Sequence, residues 1–169
     1  IGDFELEDEK WQIEEIIKCH NDPVYFINNY VWIEMKEKST IVPFDLYPYQ
    51  ERLLYGLVDG KNFTVLKSRR IGASTVIANG VATWMILFRR GVNILFLSET
   101  EAKAKSLLEK VKFSLRNLRC RDSEHYETAT KADWLLNPIV TDNQHQISVG
   151  WFNEQGDLEA TSDVKSLTT

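Results

Sequence analysis

The run Lys67-Ser68-Arg69-Arg70-Ile71-Gly72-Ala73-Ser74-Thr75 concentrates cations, hydroxyls and one glycine between two apolar segments. Those residue types suit the binding of phosphate. Backbone N–H groups converging at the start of a helix attract an anion, and the helix dipole adds to that attraction. Glycine lets the backbone approach closely and turn left-handed. The spacing is close to G-x-x-x-x-G-K-[ST], with Gly72 and Ser74 in register. Lys67 stands where the first glycine would be, and Ala73 where the lysine would be. This departure reads as a relocated lysine, since a long stem at position 67 can reach back over a bound phosphate. Ser74, or Thr75 beside it, has the hydroxyl that would ligate Mg²⁺ held between β- and γ-phosphates. Arg69 and Arg70 offer guanidinium forks, and either could stabilise charge developing on a γ-phosphate.

Such a loop needs a strand to deliver it and a helix to leave it. Phe63-Thr64-Val65-Leu66 reads as the strand and residues 74–89 as the helix. After a turn at Arg90-Gly91, residues 92–97 are almost continuously apolar, which predicts a strand inside a parallel sheet. Ser98-Glu99-Thr100-Glu101 has the S-x-x-E form of a capping box. Ala104, Leu107, Leu108, Val111, Leu115 and Leu118 then recur at helical spacing. The order β-α-β-α predicts a three-layer α/β core around a parallel sheet, with right-handed crossovers.

Upstream, residues 5–20 read as an amphipathic helix with Trp11, Ile13, Ile16 and Ile17 on its apolar side. Asp22 and Pro23 predict a second helix start, as N-cap and first helical residue. Residues 31–35 suit a short strand. Pro43 and Pro48 bracket an extended stretch, and a helix is expected from Tyr49 to about Val58, closed by Asp59-Gly60. Downstream, residues 125–136 include a short helix, Ile147, Val149 and Trp151 alternate as a strand, and residues 158–161 return as another. Two parts are expected: an N-terminal helical segment, 1–40, docked on a core formed by 41–169.

Bulk composition narrows the classes. With 169 residues, 43% hydrophobic and 27% charged, the chain has the makings of one ordinary globular domain. No apolar run approaches the ~18 residues of a membrane span. Cys19 and Cys120 lack metal-ligand spacing, and the three histidines form no H-E-x-x-H pattern. Zinc chemistry and a disulfide framework are therefore not expected, and a reduced intracellular setting is. The chain starts with Ile1 and no signal peptide follows, as expected of a fragment of a longer protein. The net charge of −5 is uneven: residues 61–121 carry 13 basic and 3 acidic side chains. That block contains the loop and the segments after it, which favours an anionic ligand there.

The loop K-S-R-R-I-G-A-S-T resembles the deviant Walker A of phage large terminases, the ATPases that package viral DNA. In one variant of that family, K-S-x-R-x-G-x-S, the lysine stands at the loop's start, as Lys67 does. Residues 21–30 are similar to the family's D-P-x-Y-F-x-x-x-Y segment. Residues 44–50 are similar to its adenine-motif region, F-x-L-x-x-Y-Q, and residues 95–104 to its strand-helix step after Walker A. Together these elements cover about residues 18–115, in the family's order.

The resemblance implies a P-loop NTPase core and roles for particular residues. Gln50 would read the adenine edge, with Tyr47 or Tyr49 against the base. Lys67 would hold the β/γ-phosphates, Ser74 the Mg²⁺, and Arg69 or Arg70 the γ-phosphate. Ser68, Gly72, Ala73 and Thr75 would complete the nucleotide cradle. The implied cofactors are ATP and Mg²⁺. The implied partners are double-stranded DNA, a portal protein, a small terminase subunit and further copies in a ring. The implied location is the host cytoplasm, transiently at the procapsid portal.

Three elements that the resemblance leads one to expect do not occur in the sequence. A Walker B strand, apolar residues ending in Asp-Glu, does not appear before Thr169, and neither do the coupling motif and acidic nuclease cluster. Residues 41–169 are thus expected to be part of an ATPase domain, able to hold nucleotide without turning it over. Two other readings stay open: a helicase-like nucleic-acid translocase, and a non-enzymatic interaction domain with a degenerate loop.

Overall fold

The computed structural model describes residues 2–66, 68, 70–123 and 125–168; Lys67 and Arg69 lie outside the described residues. Helix α1 (Gly2–Asn21) leads directly into α2 (Pro23–Tyr30). The break between them is set by Asp22, whose Oδ1 accepts from the backbone N–H of Val24 at 2.9 Å and of Tyr25 at 3.2 Å. Pro23 follows at the first helical position, where its missing N–H costs nothing. Strands β1 (Trp32–Met35) and β2 (Thr40–Pro43) form an antiparallel hairpin, and α3 (Pro48–Val58) follows.

The loop of interest opens into a helical run over residues 73–88. It begins with α4 (Ala73–Thr75), continues as a π-helical segment (Val76–Ala82) and ends as α5 (Thr83–Phe88). The π-segment is supported from both sides. Thr83 Oγ1 donates to the Ala78 carbonyl at 3.1 Å, and Asn79 Nδ2 donates to the Lys110 carbonyl and to Ser114 Oγ, both at 2.8 Å. Strand β3 (Asn93–Ser98) and helix α6 (Glu101–Arg116) come next. The helix is capped by Thr100, whose Oγ1 accepts from Lys103 N, rather than by Ser98.

After a 3₁₀ turn (Asp133–Leu135), strands β4 (Ile139–Asn143), β5 (Gln146–Phe152) and β6 (Leu158–Thr168) complete the sheet. The sheet is mixed, in the order β3-β6-β5-β4: β3 runs parallel to β6, and the other pairs are antiparallel. This corrects the expectation of a parallel sheet with residues 92–97 in its interior. Strand β3 is at the edge, with Phe96 buried while Leu95 and Leu97 stay about half exposed. Phe96, Ile147, Val149 and Val164 face the helices and are buried. Among the described residues the helices cover that face only, so two layers rather than three are formed.

The second correction concerns α1. Trp11, Ile13, Ile16 and Ile17 are exposed, and Glu15 and Cys19 turn inward instead. A polar network outweighs the apolar stripe. The buried Glu15 carboxylate accepts from Tyr25 Oη at 2.8 Å, Tyr30 Oη at 2.5 Å and Lys18 Nζ at 2.6 Å. Helix α2 is embedded: Phe26 and Ile27 are fully buried, and the Phe26 ring meets Phe88 edge-on at 5.2 Å. Trp84 Nε1 donates to the Cys19 carbonyl at 2.7 Å, which ties the helix after the loop to the N-terminal helices.

Candidate functional site

The loop enters its helix through Gly72, which has φ of +80° and precedes the first helical residue, Ala73. Only glycine takes that conformation without steric cost. Arg70, two residues earlier, also has positive φ, at +66°, a rarer state for a side chain of its size. These two left-handed residues, one on either side of Ile71, turn the chain sharply into the helix. The amides of Gly72, Ala73 and Ser74 meet no acceptor among the described residues. Ser74 is exposed, and its hydroxyl has no partner among the described residues; Ala73 is buried and Ser68 exposed.

Gln50 sits against this turn. It occupies the first turn of α3, is 3% exposed, and its Oε1 accepts from Tyr47 N at 2.9 Å. Its Nε2 lies 2.8 Å from where a Cβ on residue 72 would stand. The amide therefore caps α3 and abuts the loop at its glycine. Tyr49 Oη donates to the Ile71 carbonyl, so the start of α3 holds the loop at two adjacent points. The Tyr47 and Tyr49 rings lie parallel, with centroids 6.0 Å apart, and Tyr47 is 64% exposed. The exposed face of this ring pair is available for stacking, while the Gln50 amide beside it is buried and its oxygen is engaged by Tyr47 N.

Arg70 turns away from the glycine. Its Nη1 donates to Glu37 Oε1 at 3.0 Å, on the β1–β2 turn, with both side chains largely exposed. Thr75 Oγ1 accepts from Lys110 Nζ at 3.2 Å, which links the first helical turn to α6. Burial pushes the Lys110 ammonium below its ordinary value, and the charge of Lys36 adds to this. Gln50, Gly72, Ala73, Ser74 and Thr75 are thus gathered at one end of the helical run. The positions of Lys67 and Arg69, the expected phosphate ligands, lie outside the described residues.

The approach to the loop differs from expectation. Residues 63–66 form no strand; Phe63, Val65 and Leu66 are exposed, the last of them completely. Phe63 instead packs on α3, where its ring occupies the space that a Cβ on Gly56 would need. Strand β3 pairs with β6 on one side only, and no described segment joins its other edge.

The basic block is also less open than its sequence suggests. Lys103 pairs with Glu99, Lys105 with Glu101, Lys112 and Arg116 with Asp142, Arg90 with Glu159, and Arg121 with Asp45. Lys110 is the basic residue of α6 left without an acidic partner among the described residues. A sequence signal for this existed: Lys103 and Lys105 each have a glutamate four residues earlier, whereas Lys110 has Ser106. Among the described residues no group of histidine, cysteine and carboxylate side chains forms a metal site, and no helix is long and apolar enough to cross a membrane. No protein-family model matches the chain, and no curated protein matches it.

Proposed function

We propose that the chain is the nucleotide-binding part of a viral DNA-packaging motor of the large terminase type. In the full-length protein it couples ATP hydrolysis to translocation of double-stranded DNA. The observation that carries this reading is the contact of the buried Gln50 amide with Gly72, beside helix-start amides that meet no acceptor among the described residues. It unites the adenine-motif glutamine with the loop, as a site reading base and phosphate together requires. In this site Gly72, Ala73 and Ser74 cradle phosphate with their amides, and the Ser74 hydroxyl meets Mg²⁺. Lys67 neutralises the β/γ-phosphates, Arg69 or Arg70 meets the γ-phosphate, and Tyr47 or Tyr49 faces the base. Arg70 would have to leave Glu37, an exposed pair whose loss costs no more than ~1 kcal/mol. Portal protein, small subunit and sister copies are the partners that go with this reading, at the procapsid in the host cytoplasm.

One observation favours a second reading, a non-enzymatic interaction domain with a degenerate loop. Residues 63–66 lie outside the sheet, so no strand braces the loop from behind. The test is a thermal-shift titration with ATP and Mg²⁺. A ligand present at 100 times its Kd stabilises the folded state by about 2.7 kcal/mol. The nucleotide reading requires a rise in Tm that is lost in Lys67→Ala; the interaction-domain reading requires no rise.

A further inference from the structure

A cavity of about 370 Å³ opens on the flank of the helix that follows the loop, between β1, the turn after it, and α6. Its charged lining is unusual. Lys110 and Lys36 both border it, and neither has an acidic partner among the described residues. Lys110 is part-buried, and among the described residues its Nζ hydrogen-bonds to the Thr75 hydroxyl alone. Burial and the neighbouring Lys36 charge both work against its ammonium form. An anion held in the cavity beside Lys110 would offset both effects. Glu34 and Glu109 also line the space, as does Arg116. Glu109 is engaged by Lys112 at 3.4 Å and Arg116 by Asp142 at 2.5 Å, so neither is free to neutralise Lys110 or to supplement it. Ile33 and Phe113 supply an apolar wall.

We propose that this cavity is a binding site for a small phosphorylated organic molecule, with Lys110 and Lys36 on the phosphate and Phe113 and Ile33 against the apolar body. The volume falls within the ~300–1,000 Å³ of small-molecule sites, and the apolar wall would be wasted on a bare phosphate. A nucleic-acid backbone fits less well, because a cavity of about 370 Å³ takes a compact molecule rather than a continuous chain. The site stands on residues of β1, its turn and α6, and does not rest on the nucleotide reading. It would nevertheless touch the loop: an occupant that draws Lys110 Nζ away frees the Thr75 hydroxyl next to Ser74.

Isothermal titration of the whole chain with phenyl phosphate, in phosphate-free buffer, tests the proposal. Saturable 1:1 binding is expected, tighter than that of inorganic phosphate. Loss of one charge-assisted contact should weaken it ~10-fold or more, both in Lys110→Gln and in Lys36→Gln. No saturable binding, or binding by both lysine variants as tight as that of the unmodified chain, would overturn the proposal. Binding lost in Lys67→Ala but kept in Lys110→Gln would assign the phosphate to the loop and overturn it as well. If Lys110→Gln does not fold, Lys36→Gln carries the test by the same criterion, since Lys36 lies on an exposed turn.

Discussion

Gly72 is where residue chemistry and loop geometry meet most closely. A side chain there must adopt φ of +80° and also displace the Gln50 amide. Gly72→Ala is expected to destabilise the chain by ~1–3 kcal/mol, read from urea unfolding; an unchanged midpoint would mean that the turn is not held as described. Glu15 is the second residue with a measurable signature. Burial pushes its carboxyl up, but hydrogen bonds from Lys18, Tyr30 and Tyr25 outweigh this and hold it below the ordinary value. A depressed folded-state pKa contributes stability above the unfolded value, ~4.3, and loses it as pH falls through the folded one. Stability should therefore drop in the unmodified chain as pH falls below ~4.3 and through the depressed folded-state value. Unfolding midpoints measured across that range should drop less in Glu15→Gln. Lys110 shows how a residue can hide in a pattern. It reads as one of several lysines on an exposed helix, and only the pairing of its neighbours sets it apart.

At the scale of elements, helix starts were legible because their signals are local. Asp22-Pro23 begins a helix where expected, the next helix starts at Pro48, one residue before the expected Tyr49, and Asp59-Gly60 ends it. Periodicity placed α6, but Thr100 rather than Ser98 caps it, since two candidate hydroxyls lay within one turn. The inward face of α1 was not legible. Ile13, Ile16 and Ile17 outweigh Glu15 on any hydrophobic scale, yet two tyrosine hydroxyls from the next helix choose the carboxylate. The partners of β3 were not legible either, because its parallel pairing with β6 joins segments separated by α6 and two other strands. The π-segment depends on a tertiary contact through Asn79. Asn79→Ala would leave Ser114 Oγ and the Lys110 carbonyl without this donor. A loss of ~1–3 kcal/mol is expected, measured by chemical denaturation; a neutral effect would detach the π-segment from α6.

For the whole molecule, the asymmetry of the sheet matters most. One face is packed by helices, while Leu95, Leu97 and Leu167 are about half exposed on the other. Adjacent positions on β3 should therefore respond oppositely. Phe96→Ala should cost ~3–5 kcal/mol, whereas Leu97→Lys should change stability by no more than ~0.5 kcal/mol. Denaturant titrations of the two variants decide this, and similar losses would place a second layer over the face. Of the expected site residues, Gln50 does lie against Gly72, a contact between α3 and the loop. The link from Lys110 to Thr75 was not legible, because it depends on how α6 lies against the helix after the loop.

The central claim is that the loop at residues 67–75 holds the phosphates of a nucleotide whose base is met near Gln50. Isothermal titration with a non-hydrolysable ATP analogue and Mg²⁺ tests it most directly, using the unmodified chain, Lys67→Ala and Gln50→Ala. The account predicts saturable 1:1 binding that weakens at least ~10-fold in Lys67→Ala. In Gln50→Ala, discrimination between ATP and GTP analogues should fall. Absence of binding to the unmodified chain, or binding indifferent to both substitutions, would contradict it.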